Sequence, residues 1–186
     1  MTVVWIVIGL VVLAVLVFIL IRNSLIGARN RVDEAWSGID VQLKRRHDLV
    51  PNLVETVKGY ATHEQKVFEA TSQARADAMK AASVQDVAGA EAKLTGALAD
   101  LRAVAENYPD LRATENFQLL QRNLAEIEDE IQAARRIYNS NVQSYNTKIQ
   151  IFPNSMVAGT GDFGAREFFE IETAAEREPV QVDFEK

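Results

Sequence analysis

The chain has no cysteine, only two histidines and four prolines in 186 residues, and aromatic side chains make up just 8% of it. Without cysteine it forms no disulfide, presents no thiolate nucleophile and cannot hold zinc through sulfur. The prolines fall at 51, 109, 153 and 179, which leaves long stretches free of helix breakers. With few aromatics, the apolar content is carried by aliphatic residues and alanine, a composition suited to helix packing rather than to a sheet. Positive charge is also sparse: 20 Lys and Arg stand against 26 Asp and Glu, a net charge of −6. A nucleic-acid partner requires a dense basic face to neutralise phosphates, so that class is excluded. Missing too are the Gly-x-Ser-x-Gly elbow, the Walker loop and the dinucleotide glycine pattern.

What the sequence does contain begins with "VVWIVIGLVVLAVLVFILI", residues 3–21, nineteen residues without a charge. As a helix this segment is roughly 28 Å long, against a hydrocarbon thickness of ~30 Å. Each Leu, Ile, Val or Phe favours insertion by about 0.3–0.6 kcal/mol, so the segment is expected to cross a bilayer once. A cleaved signal peptide would carry a charged start, a shorter apolar core and a small-x-small cleavage site, and none is present. Arg22, Arg29 and Arg31 follow the span closely. Positive-inside reasoning then places the protein in the inner (plasma) membrane with its larger, C-terminal part in the cytoplasm.

Beyond the anchor the period is helical. Trp36, Ile39, Leu43, Val50, Leu53 and Val57 fall on one heptad stripe if position 46, an arginine, is counted with them. Arg46 is expected to snorkel toward a carboxylate. The stripe resumes in phase after Pro51, which predicts one kinked but continuous helix rather than two. "GYATHE" ends it, with Thr62 as the cap of a second helix whose contact stripe is Val67, Ala70, Ala74, Ala78 and Ala81. A third stripe follows through Val84, Val87, Leu94, Leu98, Leu101 and Ala105. "NYPDLRAT" is turn chemistry, and Thr114 caps the last helix. That helix carries Phe117, Leu120, Leu124, Ile127, Ile131, Ala134 and Tyr138, then Val142, Tyr145, Ile149 and Phe152, and Pro153 stops it. From residue 154 glycines and glutamates dominate and the period is lost, which reads as a flexible acidic tail. Phe163, Phe168 and Phe169 are its docking candidates, on the bundle or on a partner.

The reading is all-α: a transmembrane anchor over residues 1–23, an antiparallel bundle of three to four long helices over 24–153, and the tail over 154–186. Chemistry has little to work with. "HEQKV", residues 63–67, starts like a zinc-protease helix, but Val67 stands where the second histidine belongs. A metal-dependent hydrolase using His63 and Glu64, with His47 as a further ligand, is the enzymatic alternative. Glu126, Glu128, Asp129 and Glu130 read as ion-pairing or solvated carboxylates. Asn139, Asn141, Gln143 and Asn146, interleaved with Tyr138 and Tyr145, are expected to set helix register by meeting the first helix near Arg46 and Pro51. No catalytic, cofactor-binding or metal-ligating residue is assigned.

Three separated segments carry a likeness to a known family. "RNRVDEAWSGIDVQLKRRHDLVPNLVETVKGYATHE", "ENYPDLRATENFQLLQRNLAEIEDEIQAARRIYNSNVQSYNTKIQIFP" and "VAGTGDFGAREFFE" resemble the LemA family of bacterial membrane proteins. The likeness runs from about residue 1 to 170; residues 80–104 and the last fifteen carry no family motif. It implies one N-terminal transmembrane helix bearing a soluble bundle, with no established catalytic residue or cofactor. Through relatives linked to HtpX-type membrane proteases and to magnetosome membranes, it implies work in membrane organisation or protein quality control. The resulting expectation is a non-enzymatic, self-associating scaffold or adaptor that contacts the bilayer through residues 3–21 and meets other membrane proteins, a membrane protease among them. An envelope sensor with an extracytoplasmic domain is the remaining alternative.

Overall fold

The computed structural model describes residues 1–161 and 163–170, and every regular element among them is a helix. These are α1 Thr2–Lys58, α2 Gln65–Ala78, α3 Val84–Glu106, α4 Pro109–Ala113, α5 Glu115–Gln150 and α6 Asn154–Ala158. Helix α1 runs unbroken for 57 residues, a contour of about 86 Å, through the end of the apolar segment and through Pro51. Residues 1–20 are all exposed, and burial starts abruptly at Leu25. Of the stripe read from the period, Ile39, Leu43, Val50, Leu53 and Val57 are each at most 4% exposed and Trp36 is half-buried; Val32, one turn earlier, is buried with them.

The chain divides into two compact units. One comprises Met1–Val41 and Gln132–Phe168; the other comprises Gln42–Ile131 with residues 169–170. In the second unit a continuous apolar cluster joins Val50, Leu53 and Val57 of α1, Phe68 of α2, Leu94, Leu98 and Leu101 of α3, and Leu120 of α5. Ser83 caps α3 by accepting from the Asp86 N–H while donating to the Asp86 carboxylate, worth about 1 kcal/mol. Thr114 caps α5 as expected, accepting from the Phe117 N–H at 3.3 Å.

Helix α2 departs from expectation in two ways. It begins at Gln65 after Glu64, so Thr62 is not its cap. Its buried face is Phe68, Thr71 and Ala78, while Ala70 points to solvent. The contact face keeps Ala78 and the half-buried Val67, Ala74 and Ala81, but centres its first turns on Phe68 and Thr71, because burying the large Phe68 ring removes more apolar surface than burying Ala70.

In the first unit α1 and α5 run antiparallel. Asn141 Nδ2 donates to the Arg31 carbonyl, and Lys148 Nζ donates to Ser24 Oγ. Trp36 and Tyr138 pack ring to ring at 5.3 Å. The expected tail divides here. Residues 154–158 form α6, and 163–168 carry no regular secondary structure yet are held in place, with Phe163 buried under the Arg29 guanidinium at 5.7 Å. Phe168 is half-buried and Phe169 fully buried. The acidic stretch 171–186, and the flexibility expected of it, lie outside the described residues.

Candidate functional site

The second unit has a polar centre inside its apolar core, gathered around a single turn of α1. Arg46 is 1% exposed, so it does not snorkel as expected. Its Nη1 donates to Glu91 Oε2 at 3.0 Å, and its Nη2 donates to Thr95 Oγ1 at 2.7 Å and to Glu128 Oε1 at 2.9 Å. The next residue, His47, is also buried and lies with Nε2 2.6 Å from Glu91 Oε1. Both Glu91 carboxylate oxygens are thus engaged, one by Arg46 and the other by His47. Arg46 Nε has no hydrogen-bond partner among the described residues. The planar guanidinium fork serves two helices at once, Glu91 and Thr95 from α3 and Glu128 from α5, which an ammonium could not do with the same geometry.

Pro51 explains a further contact. Lacking an N–H, it leaves the carbonyl four residues back, that of His47, without its helical donor. Arg75 of α2 supplies one, donating from Nε to the His47 carbonyl at 2.6 Å. Four helices thus converge on residues 46–47. Burial pushes the Glu128 carboxyl above the usual carboxylate range; Arg46 opposes that shift, while Glu91 and Asp129 add to it.

Sequence reasoning marked Arg46 and missed Glu91. The signal was available: Val87 and Leu94 leave a gap in the α3 stripe, and Glu91 fills the seam position within it, as Arg46 does in α1 between Leu43 and Val50. Two complementary charges at interrupted seams of two helices are a pairing signal. Glu128 lies beside the seam residue Ile127, and no local period distinguishes it from Glu126, Asp129 and Glu130, which are exposed.

His47 and His63 are not brought together. His47 is committed to Glu91, while His63 is exposed and Glu64 half-buried. Among the described residues no three His, Asp or Glu side chains gather into a metal-binding set. A surface groove of about 610 Å³ is lined by Val54, Lys58, Thr62, Gln65, Phe68 and Ser72 among others, and neither histidine lines it.

The amide-rich face of α5 belongs to the first unit, and this corrects its expected partner. It meets residues 24–36 of α1 and the segment 163–168, not the neighbourhood of Arg46 and Pro51. The reason is antiparallel register, which sets the amides against the turns of α1 nearest the apolar segment. Asn146 makes a paired bond: its Nδ2 donates to the Arg166 carbonyl and its Oδ1 accepts the Arg166 N–H, both at 2.8 Å. The side-chain amide stands in for the peptide of a neighbouring strand. Tyr138 Oη donates to the Glu167 carbonyl at 2.9 Å, and Arg166 Nη2 reaches Asp33 at 2.9 Å. Gln143 stays at the surface, donating to Thr147.

A leading helix that is apolar and exposed, continued by packed helices whose buried charges are tied to one another, defines a membrane-associated helical protein. The chain belongs to the LemA family, whose profile matches residues 35–184, starting after the apolar segment and reaching past the last family motif read from the sequence. Among similar proteins, magnetosome protein MamQ 2 of Paramagnetospirillum magneticum is 27% identical, the alignment covering 89% of this chain and 72% of that protein. Protein LemA of Metamycoplasma hominis is 28% identical, with coverages of 87% and 73%. Magnetosome protein MamQ of Magnetospirillum gryphiswaldense is 24% identical, with 72% of this chain and 58% of that protein aligned.

Proposed function

We propose that the protein is a non-enzymatic, membrane-anchored helical scaffold that binds and positions other membrane proteins, a membrane protease being one class of partner. The observation that carries this reading is the continuity of α1. Helix α1 presents a fully exposed apolar segment and, without a break, is buried among the helices of the first unit from Leu25 onward. Such an element transmits position from the bilayer to a binding surface. Binding rather than catalysis is supported by the engagement of Arg46, His47, Glu91 and Glu128 with one another, which leaves them no reacting partner. Relatives named as magnetosome proteins support work at a membrane. The basic residues behind the span favour a cytoplasmic bundle in the plasma membrane.

Crosslinking in intact cells tests the scaffold. A photo-crosslinker at exposed positions such as Val41 or Leu119 is expected to trap a defined set of membrane proteins or a second copy of the chain. If no position yields a discrete adduct, or if the purified chain hydrolyses a peptide library, the scaffold reading fails.

A further inference from the structure

The sequence pattern runs the last helix's apolar stripe on to Phe152, yet Phe152 is 78% exposed. Ile151 and Met156, its neighbours in the turn between α5 and α6 and on α6 itself, are 51% and 67% exposed. A cluster of large apolar side chains presented to water is not the normal finish of a helix, and exposed apolar patches mark contact surfaces. No charged residue occurs from Ile149 to Gly161, so the tip is uncharged as well as apolar.

The register of the first unit says what faces this tip. Asn141 meets Arg31, and Lys148 meets Ser24, a step of seven residues on each helix in opposite directions. Carried three residues further, the same register brings Ile151 level with Ile21, the last residue of the uncharged apolar segment. The turn therefore lies beside α1 at the height where that helix changes from exposed apolar residues to the buried spine. Cations occupy the same level, Arg22 exposed on α1 and Lys148 on α5.

We propose that the α5–α6 turn, through Ile151, Phe152 and Met156, is seated in the headgroup–acyl boundary of the bilayer as a second membrane contact beside the span. The proposal rests on the reading of residues 3–21 as the anchor. Three apolar side chains on an uncharged tip suit the boundary layer, where apolar groups of surface-lying segments sink about 5–10 Å. Arg22 and Lys148 suit the adjacent phosphates. A single span alone leaves a helix free to tilt and swivel. A second contact on the antiparallel neighbour fixes how the first unit stands on the membrane surface.

Because the chain lacks cysteine, single labels can be placed without background. The full-length protein carrying Phe152→Cys or Met156→Cys with a nitroxide is reconstituted in vesicles of phosphatidylethanolamine and phosphatidylglycerol. Collisions with oxygen, which partitions into lipid, are compared with those of a water-soluble nickel chelate. Two references accompany them: Leu13→Cys within the span, and Ile137→Cys on α5, exposed and apolar but about 21 Å along the helix from Ile151.

The expected result is an oxygen-to-nickel ratio at 152 and 156 several-fold above that at 137 and approaching that at 13. A ratio at 152 and 156 equal to that at 137, with 13 still in lipid, overturns this proposal alone. A water-accessible label at 13 overturns the anchor reading with it. Strong spin–spin broadening at 152 without oxygen access means that a second copy covers the tip, and also overturns the proposal.

Discussion

Arg46 is the side chain on which the second unit is most dependent. Replacing it with methionine keeps volume but leaves Glu91 fully buried and Glu128 partly buried without their cation. Breaking a buried pair in this way costs about 3–5 kcal/mol, so Arg46→Met is expected to lower the unfolding midpoint sharply. Arg45→Ala, one residue away and exposed, is expected to stay within about 0.5 kcal/mol of the parent in the same denaturation experiment. Glu128 gives a pH signature. Burial raises its carboxyl, so the fold binds that proton more tightly than the unfolded chain does. Its contribution is therefore complete below the ordinary carboxylate range and is lost as pH rises through the raised value. Glu128→Gln removes the loss, and the difference in melting temperature between variant and parent is expected to move in the variant's favour from acid toward neutral pH. A difference independent of pH would contradict the assignment.

Among the elements, α1 owes its passage through Pro51 to Arg75. Arg75→Ala leaves the His47 carbonyl without a donor, at a cost of about 1–3 kcal/mol. In a Pro51→Ala background the new N–H can take that carbonyl, and the same Arg75→Ala change is expected to cost less. A double-mutant cycle by chemical denaturation checks this; coupling of about 1 kcal/mol is expected, and equal costs in both backgrounds would refute the compensation. The segment 163–168 depends just as locally on Asn146, which donates to the Arg166 carbonyl and accepts from the Arg166 N–H. Asn146→Ala is expected to free it, giving several-fold faster tryptic cleavage after Arg166 with little change in far-UV circular dichroism. Burial also raises the Tyr138 hydroxyl, so it keeps the proton it donates to the Glu167 carbonyl at ordinary pH.

At the scale of the whole chain, the apolar segment runs into the first unit within one helix, α1. Two insertions into α1 test whether that continuity matters in cells. A single alanine after Arg22 turns the span by about 100° relative to the residues beyond it, whereas seven restore its face within about 20°. The single insertion is expected to change the crosslinked partner set, and the seven-residue insertion to retain it. Digestion of the bundle by protease added outside intact cells would reverse the proposed orientation.

The long helices and the buried stripes of α1 and α5 were legible in advance because both depend on local period: Val32 to Val57 and Phe117 to Tyr145 bury residues that repeat by three and four. The apolar leading segment was legible for the same reason, since length and absence of charge are properties of contiguous residues. Family membership was legible from separated motifs in order. What tertiary structure alone decided is which distant groups meet. Arg46 and Glu91 are 45 residues apart, and Asp33 and Arg166 are 133 apart. No local pattern says that the amides of α5 face residues 24–36, or that Phe152 leaves its stripe for the surface. Helix formation is governed by near neighbours, whereas pairing depends on the turns and register that bring helices side by side, and those emerge only when all the apolar stripes are buried together.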